Sequence, residues 1–311
     1  MLPDAALPNF LIIGSAKAGT TTLYEYLTHH PHIYMSTVKE PQFFCHESLY
    51  SKGLDYYANT YFKGSTGFAA RGEATPHYLY FEKVAQRLSR DLPKDHQRFI
   101  VIMRDPVSRA HSLYWNMVHE GLEELSFEDA IRSEPQRDKQ AEIEGSCTLQ
   151  YQYISSSRYA EQIRRYLKYF DREQFLFLFI EDLMANPAAT LDQVYRFLGV
   201  PPCDQAIATK TFNSANAPRF GWLHDFLRKP HPWKQRLGRL LSIEQKYRIA
   251  SMLLAVNRRK AQYHPLRTET ERELRNLFAE DVRDLQTLTG RDLTAWLPAS
   301  EVGAKPAAGC S

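Results

Sequence analysis

The sequence predicts an α/β fold of three layers, in which a central parallel sheet lies between helices and a helical part follows at the C-terminus. Two observations predict it. Short apolar segments alternate along the chain with helical patterns, which is typical of strands and crossover helices in a parallel sheet. The first apolar segment also runs directly into a glycine-containing turn and a helix. The length of 311 residues is sufficient for one large domain of this kind.

The predicted strands are short apolar runs, at 10–13, about 32–35, about 68–71, 98–103 and 175–180. Helical patterns lie between them, at 20–29, 81–90, 106–120 and 147–170. A further helix is predicted over 187–198, because Pro187 suits its first turn and Gly199 marks its end.

The pattern becomes helical and charged from residue 221 onward, and Glu269 to Leu288 is strongly amphipathic. We therefore divide the chain into an α/β core of residues 1–220, a helical extension of residues 221–298 packed on that core, and a tail of residues 299–311. The tail is rich in small residues, and we expect it to be disordered.

Residues 10–21, FLIIGSAKAGTT, are the most informative segment, because a helix that begins after such a turn points its first N–H groups at an anion. Gly14 and Gly19 have the spacing of an ATP-type loop, but Thr20 stands where the lysine of that loop belongs. The lysine is instead Lys17, inside the loop. The pattern therefore predicts a P-loop-like fold that binds a 5′-phosphate and suits a magnesium triphosphate poorly; an ordinary glycine turn is the alternative.

A second motif follows the predicted strand 98–103, where Arg104-Asp105-Pro106 opens a helix. Arg104 and Ser112 can converge on one anion if the loop curls back, and arginine is the natural bidentate partner of a phosphate. The alternative is that Arg104 pairs with Asp105 or caps a helix, and that Ser112 is a packing residue.

With the run Lys39-Glu40-Pro41-Gln42-Phe43-Phe44, these two motifs resemble those of sulfotransferases that use 3′-phosphoadenosine-5′-phosphosulfate (PAPS). The likeness is to bacterial sulfotransferase-domain proteins and to the heparan sulfate sulfotransferase branch. It covers residues 9–199 and extends more weakly to residue 296. The resemblance implies that PAPS is the donor, that 3′,5′-diphosphoadenosine is the product and that no metal is needed. The acceptor would be a hydroxyl or amine of a carbohydrate or small molecule.

The resemblance also implies roles for individual residues. Lys17 would stabilise the bridging oxygen of the donor, and Glu40 would be the general base that takes a proton from the acceptor. A larger set would bind the donor's phosphates, namely Lys17, Ala18, Gly19, Thr20, Thr21, Arg104, Ser112 and Arg219. Of these, Arg104 and Ser112 would bind the 3′-phosphate.

The chain departs from the heparan sulfate branch at two positions on the acceptor side. Ala74 stands where that branch has a lysine, so a second active-site cation is missing or comes from elsewhere. Asn116 stands where some relatives carry a histidine, four residues after Ser112. Both departures argue against a heparan-type acceptor and leave the donor residues unchanged.

Two other functions are possible from the sequence. A P-loop kinase is disfavoured because no lysine precedes Thr20 and no acidic magnesium ligand is evident at a strand end. A non-catalytic nucleotide-binding module is disfavoured because Lys17, Glu40, Arg104 and Ser112 occur together. His77 could assist proton transfer, although a lone histidine is more often structural. The aromatic stretch 39–63 is either the wall of an acceptor pocket or part of the core, and the core is favoured for most of its members.

Composition and charge limit which partners and which cellular compartment we expect. The formal net charge of +3 does not indicate a nucleic-acid partner. The apolar segments are too short to cross a bilayer and the first residues lack a secretory signal, so we expect a cytoplasmic protein without membrane insertion. The four cysteines form no C-x-x-C pair and are expected to be free, with a Cys147–Cys203 disulfide as an open alternative. The oligomeric state is not predicted.

Overall fold

The computed structural model describes residues 6–93, 97–143, 147–203, 216–218, 258–260 and 264–302. Its centre is a five-stranded parallel sheet with the strand order β2-β3-β1-β4-β5. The strands are β1 (Phe10–Gly14), β2 (Ile33–Met35), β3 (Ala70–Ala74), β4 (Arg98–Met103) and β5 (Phe175–Phe179). The predicted α/β fold with a central parallel sheet is therefore confirmed.

The strand order places the functional segments at one edge of the sheet. The chain passes from β1 to β2 and β3 on one side, and then crosses to β4 and β5 on the other side. The carboxyl end of β1 therefore lies at the point where the order reverses, which is where open α/β sheets bind ligands. The segments that follow β1, β2, β3 and β4 meet at this edge because all the strands are parallel.

Helices cover the sheet and connect its strands. Before β4 they are α1 (Thr20–Thr28), α2 (Glu47–Tyr50), α3 (Gly53–Tyr61) and α4 (Glu82–Asp91). After β4 follow α5 (Pro106–His119), α6 (Phe127–Ile143), α7 (Tyr159–Leu167), α8 (Ile180–Ala185), α9 (Pro187–Leu198), α10 (Thr268–Thr289) and α11 (Ala299–Val302). A separate antiparallel pair is formed by β6 (Asn216–Pro218) and β7 (Arg258–Lys260).

Local capping explains why the helix predictions at α5 and α9 are confirmed. The carboxylate of Asp105 accepts the N–H of Ser108 at 2.7 Å ahead of α5. The side chain of Asn186 caps α9 in the same way, and Gly199 ends that helix with a φ of 72°. The predicted helices at 20–29 and 81–90 are confirmed to within one residue at each end.

The predicted helix 147–170 is wrong over its first half. Only Tyr159–Leu167 is α-helical, after a 3₁₀ turn at Ser155–Ser157. The N–H groups of Ile154 and Ser155 each donate to the carboxylate of Glu134 at 2.7 Å, so they do not enter a helical ladder. Glu134 belongs to α6, a helix that the sequence pattern did not indicate. The third strand also begins two residues later than the predicted 68–71.

Both faces of the sheet are buried. Leu11 and Ile13 of β1 face one core cluster, and Phe10 and Ile12 face the other. Phe278 of α10 packs in the first cluster, and Asp281 of α10 accepts the N–H groups of Ala160 and Glu161 at the start of α7.

The described end of the chain, from residue 264, therefore packs on the core. Residues 221–257 and 261–263 of the predicted extension lie outside the described residues. Helix α11 occupies the first four residues of the predicted tail, and residues 303–311 are also outside the described part.

Candidate active site

The loop between β1 and α1 has the backbone that an anion site requires. Gly19 has a φ of 97°, a conformation that glycine adopts without strain, and a Cβ there would come within 3.3 Å of the side chain of Ile180, which is a tight contact. Helix α1 begins at Thr20 without a side-chain cap, so its first N–H groups face the loop. Ala18 and Thr20 are buried and Thr21 is exposed. The predicted phosphate-binding loop thus lies at the carboxyl end of the central strand.

Lys17 is held in place by α5. Its Nζ donates to Oδ1 of Asn116 at 2.7 Å, and Nδ2 of Asn116 donates to Glu120 at 3.1 Å. Burial lowers the pKa of Lys17, and the charges of Arg104 and Lys39 lower it further, whereas Glu120 and Glu40 oppose the change. Residues far apart in the sequence therefore surround this ammonium closely enough to affect its charge.

Asn116 and Glu120 are contacts that the sequence reasoning missed. From the sequence, Asn116 was noted only as a departure from the heparan sulfate branch. The spacing of four residues between Asn116 and Glu120 could have indicated their contact, because it places two hydrogen-bonding side chains on the same face of one helix.

Arg104 follows β4 and is half-buried. No ion pair of its guanidinium is seen within the described residues. Asp105 instead pairs with Arg275 of α10 at 3.2 Å and caps α5, so the alternative pairing of Arg104 with Asp105 is wrong. Tyr159 donates to the backbone carbonyl of Arg104 at 2.9 Å, which fixes the strand end. The arginine is thereby positioned near Lys17, whose pKa it lowers.

Ser112 lies on α5, one turn before Asn116 and on the same face. It is half-buried, and its hydroxyl makes no hydrogen bond to another described residue. The short strand β6 lies next to α5, the helix that carries Ser112. The convergence of Ser112 with Arg104 on one phosphate stays a prediction. Arg219 lies outside the described residues.

Glu40 lies just beyond β2 with a φ of 59°, and its N–H donates to the carbonyl of Ala74 at the end of β3, at 3.1 Å. Its carboxylate pairs with Lys39, and the two side chains are 32% and 13% exposed. Burial would raise the pKa of Glu40, but Lys39, His77 and Lys17 together bring it below its ordinary value. The carboxylate is therefore ionised at neutral pH.

Lys39 is also close enough to Lys17 to lower its pKa. Lys39 is thus a second lysine beside Lys17, on the side of the sheet where Ala74 replaces the lysine of the heparan sulfate branch. Burial lowers the pKa of the nearby His77, whose Nδ1 has no hydrogen-bond partner among the described residues.

Most aromatic residues of the stretch 39–63 belong to the core. Phe43, Phe44, Tyr57 and Phe62 are fully buried in the first core cluster, and the ring of Phe43 stacks on Tyr57 with centroids 4.4 Å apart. The interpretation of these residues as core is confirmed.

The described cysteines are free. Cys45 and Cys147 lie in the same core cluster, and the thiol of Cys147 donates to the carbonyl of Cys45. Cys203 packs against the cluster on the other face of the sheet, so the alternative Cys147–Cys203 disulfide is wrong.

The described ranges contain neither a cluster of metal-ligating side chains nor a membrane-spanning helix. Within those ranges, no three side chains of His, Cys, Asp or Glu come together as a metal site. None of the helices there combines the length and the apolar character that crossing a membrane requires. The cytoplasmic location stays a prediction.

Comparison with known proteins decides the family. A family model described as "Sulfotransferase domain" matches residues 7–225. The chain belongs to the sulfotransferase family. The predicted resemblance to sulfotransferases is therefore confirmed at the level of the family.

The relatives of this sulfotransferase include enzymes of heparan sulfate. Human bifunctional heparan sulfate N-deacetylase/N-sulfotransferase 3 is 33% identical over 219 residues, which cover 67% of this chain and 24% of the human protein. Mouse heparan sulfate glucosamine 3-O-sulfotransferase 3B1 is 29% identical over 289 residues, covering 92% of this chain and 64% of the mouse protein. The chain thus spans about a quarter of the bifunctional relatives.

A solved sulfotransferase from Alicyclobacillus acidocaldarius superimposes with a TM-score of 0.66 and 27% identity, covering 94% of this chain and 99% of that chain. The P-loop-like α/β architecture predicted from the sequence is therefore confirmed.

Proposed function

We propose that the chain moves the sulfuryl group of PAPS to a hydroxyl or amine of a carbohydrate or small-molecule acceptor. The observation that carries the proposal is the meeting of Lys17 and Glu40 at the carboxyl edge of the sheet. Each lies close enough to shift the pKa of the other, although they come from the loops after β1 and β2. A cation and a carboxylate at one edge of the sheet match the needs of an in-line displacement, with a leaving oxygen on one side and an acceptor proton on the other.

The residues of the loop fit the donor. The uncapped start of α1 offers N–H groups to the 5′-phosphate, and Lys17 adds a positive charge beside them. Arg104, with no ion pair among the described residues, supplies a second cation for the 3′-phosphate. Ser112 would donate its hydroxyl to that phosphate. A nucleotide with phosphates at both ends therefore suits this site better than ATP does.

Lys17 would act on the leaving group. As the sulfur–oxygen bond to the phosphate breaks, negative charge grows on the bridging oxygen, and an ammonium fixed beside it stabilises that charge. Asn116 supports this role because it holds the Nζ of Lys17 in one place before the donor arrives. Little reorganisation is then needed during the reaction.

Glu40 would act on the acceptor. Its ionised carboxylate can accept the proton that the attacking hydroxyl or amine loses. The ion pair with Lys39 keeps this carboxylate weakly basic. A donor that attracts Lys39 toward its sulfuryl oxygens would weaken the pair and raise the pKa of Glu40, so the base would become stronger once the donor is bound.

The test is sulfuryl transfer from radiolabelled PAPS to three acceptors, namely N-desulfated heparan sulfate, a neutral glycolipid and 4-nitrophenol. Glu40→Gln keeps the size of the side chain and removes its basicity. It should leave the binding of 3′,5′-diphosphoadenosine unchanged and lower transfer ~10²-fold or more. Glu47→Gln is the matched control, since Glu47 lies on α2 near the same loop and its side chain is 73% exposed.

Two outcomes contradict the assignment. If nucleotide binding and transfer fall together in Glu40→Gln, the residue stabilises the loop and is not the base. If transfer survives, the base is elsewhere, and His77 is the next residue to replace. Wild-type protein that binds the nucleotide and transfers to none of the acceptors would favour the non-catalytic binding module.

A further inference from the structure

Glu73 is a carboxyl group in the core with no cationic partner among the described residues. It lies in β3, is 0% exposed, and accepts hydrogen bonds from three hydroxyl groups. Tyr57 and Tyr78 donate to Oε1 at 2.6 and 3.0 Å, and Thr75 donates to Oε2. A buried carboxyl group destabilises a fold unless its contacts compensate for the lost water, so the contacts of Glu73 near the end of β3 are of interest.

Two of these hydroxyl groups also bind the backbone of another segment. The N–H of Gln42 donates to Oγ1 of Thr75 at 3.4 Å, and the N–H of Phe44 donates to Oη of Tyr78 at 3.2 Å. Each hydroxyl thus accepts from an amide and donates to Glu73. The carboxylate sets the direction of both hydroxyls, because an acceptor at that end leaves their lone pairs free for the amides.

The two amides belong to the loop that carries Glu40. This loop contains two non-glycine residues in the left-handed region, Glu40 at a φ of 59° and Gln42 at 55°. Side chains disfavour that conformation, so contacts outside the loop must stabilise it. Such contacts include the bond from the N–H of Glu40 to Ala74, the stacking of Phe43 on Tyr57, the bond from Arg87 to the carbonyl of Phe44, and the two bonds that lead to Glu73.

We propose that Glu73 is a positioning residue for the reaction: through the hydroxyls of Thr75 and Tyr78 it fixes the backbone of residues 40–44 and thereby presents the carboxylate of Glu40 to the acceptor. The inference rests on the proposed function of Glu40. Tyr57 donates to the same carboxylate of Glu73, but no bond from a loop amide to its hydroxyl is seen in the described residues, so its hydroxyl has no part in this relay.

Because the hydroxyl of Tyr57 lies outside the relay, its removal is a matched control for the removal of the hydroxyls of Thr75 and Tyr78. Thr75→Val and Tyr78→Phe each remove one relay hydroxyl, Thr75→Ser retains it, and Tyr57→Phe removes a hydrogen bond to Glu73 outside the relay. With the Glu40 assay at pH 8, Thr75→Val and Tyr78→Phe should each lower kcat by about 10-fold, on the scale of one lost hydrogen bond. The affinity for 3′,5′-diphosphoadenosine should not change. Thr75→Ser and Tyr57→Phe should retain wild-type kcat.

Amide hydrogen exchange tests the relay without an acceptor. Peptides that contain residues 40–46 should exchange faster at Gln42 in Thr75→Val and at Phe44 in Tyr78→Phe. Neither amide should change in Tyr57→Phe. Glu73→Gln should expose both amides together, and the single-hydroxyl variants keep the test usable if Glu73→Gln does not fold.

The outcomes separate this inference from the proposed function. If Tyr57→Phe loses as much kcat as Tyr78→Phe, or if Thr75→Val keeps both kcat and amide protection, Glu73 has no positioning role. Nucleotide affinity that falls in step with kcat would also overturn it, because the effect would then be a general loss of structure. Full transfer by Glu40→Gln refutes the base instead, and the exchange results stand regardless of that outcome.

Discussion

The stability of this protein should depend on pH through Glu73, and Glu73→Gln is the perturbation that shows it. Burial raises the pKa of Glu73 from 4.5 to about 7, although three hydroxyl groups donate to its oxygens and lower it in part. The nearby charge of Glu40 adds to the increase. The native state therefore retains a proton that the unfolded chain releases at a lower pH.

Because the native state binds this proton more tightly than the unfolded chain does, the free energy of unfolding depends on pH. A carboxyl group whose pKa is raised on folding contributes stability that is fully present below pH 4.5 and lost as the pH rises through about 7. The difference of about 2.5 pKa units corresponds to ~3.4 kcal/mol at full ionisation, at ~1.36 kcal/mol for each unit. Between pH 5 and pH 8 the change is about 2.5 kcal/mol, because part of it has already occurred at pH 5.

The assay is urea unfolding of the wild-type protein and of Glu73→Gln at pH 5 and at pH 8. The glutamine is uncharged at both values, and the other titrating groups cancel in the difference between the two proteins. The free energy of unfolding of Glu73→Gln, taken relative to that of the wild type, should be about 2.5 kcal/mol higher at pH 8 than at pH 5. A difference that stays constant would show that the pKa of Glu73 is not raised in the native state, and a change in the opposite direction would show that it is lowered.

Four further predictions concern the donor side. Arg104→Ala should weaken the binding of 3′,5′-diphosphoadenosine by ~1.5–3 kcal/mol in calorimetry and affect 5′-AMP far less, and equal losses would refute its contact with the 3′-phosphate. Lys17→Ala should lower kcat more than it raises KM. Because the pKa of Lys17 is lowered, the alkaline limb of kcat/KM should begin below pH 10.5 and move upward in Lys17→Arg; an unmoved limb would assign it to another group. Asn116→Ala should lower kcat by up to about 10-fold with unchanged nucleotide affinity, and an unchanged kcat would show that Lys17 needs no support.

The elements that the sequence predicted well are those with local causes. The buried strands β1 and β4 are apolar on both faces, and no partner is needed to recognise them. The helix that begins at Pro187 and ends at Gly199 carries its own start and stop. The segment 147–154 failed because its conformation depends on Glu134, which is distant in the sequence. Pro135 and a polar composition concealed the helix that carries Glu134.

In the site, too, the features with a local sequence signal were predictable, and those that depend on distant contacts were not. The phosphate loop with Lys17 was predictable because glycine spacing and a helix start are local features. The contact of Lys17 with Asn116 joins residues 99 positions apart, and no local pattern indicates it. The predicted strand 68–71 stopped short of Glu73, so the sequence did not mark this carboxyl group as part of a buried strand. Its partners in the loop become evident only from the pairing of β3 with β2 and β1.

The run from Lys39 to Phe44 shows why a catalytic residue and core residues share one short motif. The left-handed conformations of Glu40 and Gln42 cost about 1–3 kcal/mol each. Full burial of Phe43 and Phe44 contributes about 1.5–3 kcal/mol each, which is enough to offset that strain. Glu40 can then remain at the sheet edge because the two aromatic residues that follow it are fixed in the core. The spacing of the motif is therefore as much a packing requirement as a chemical one.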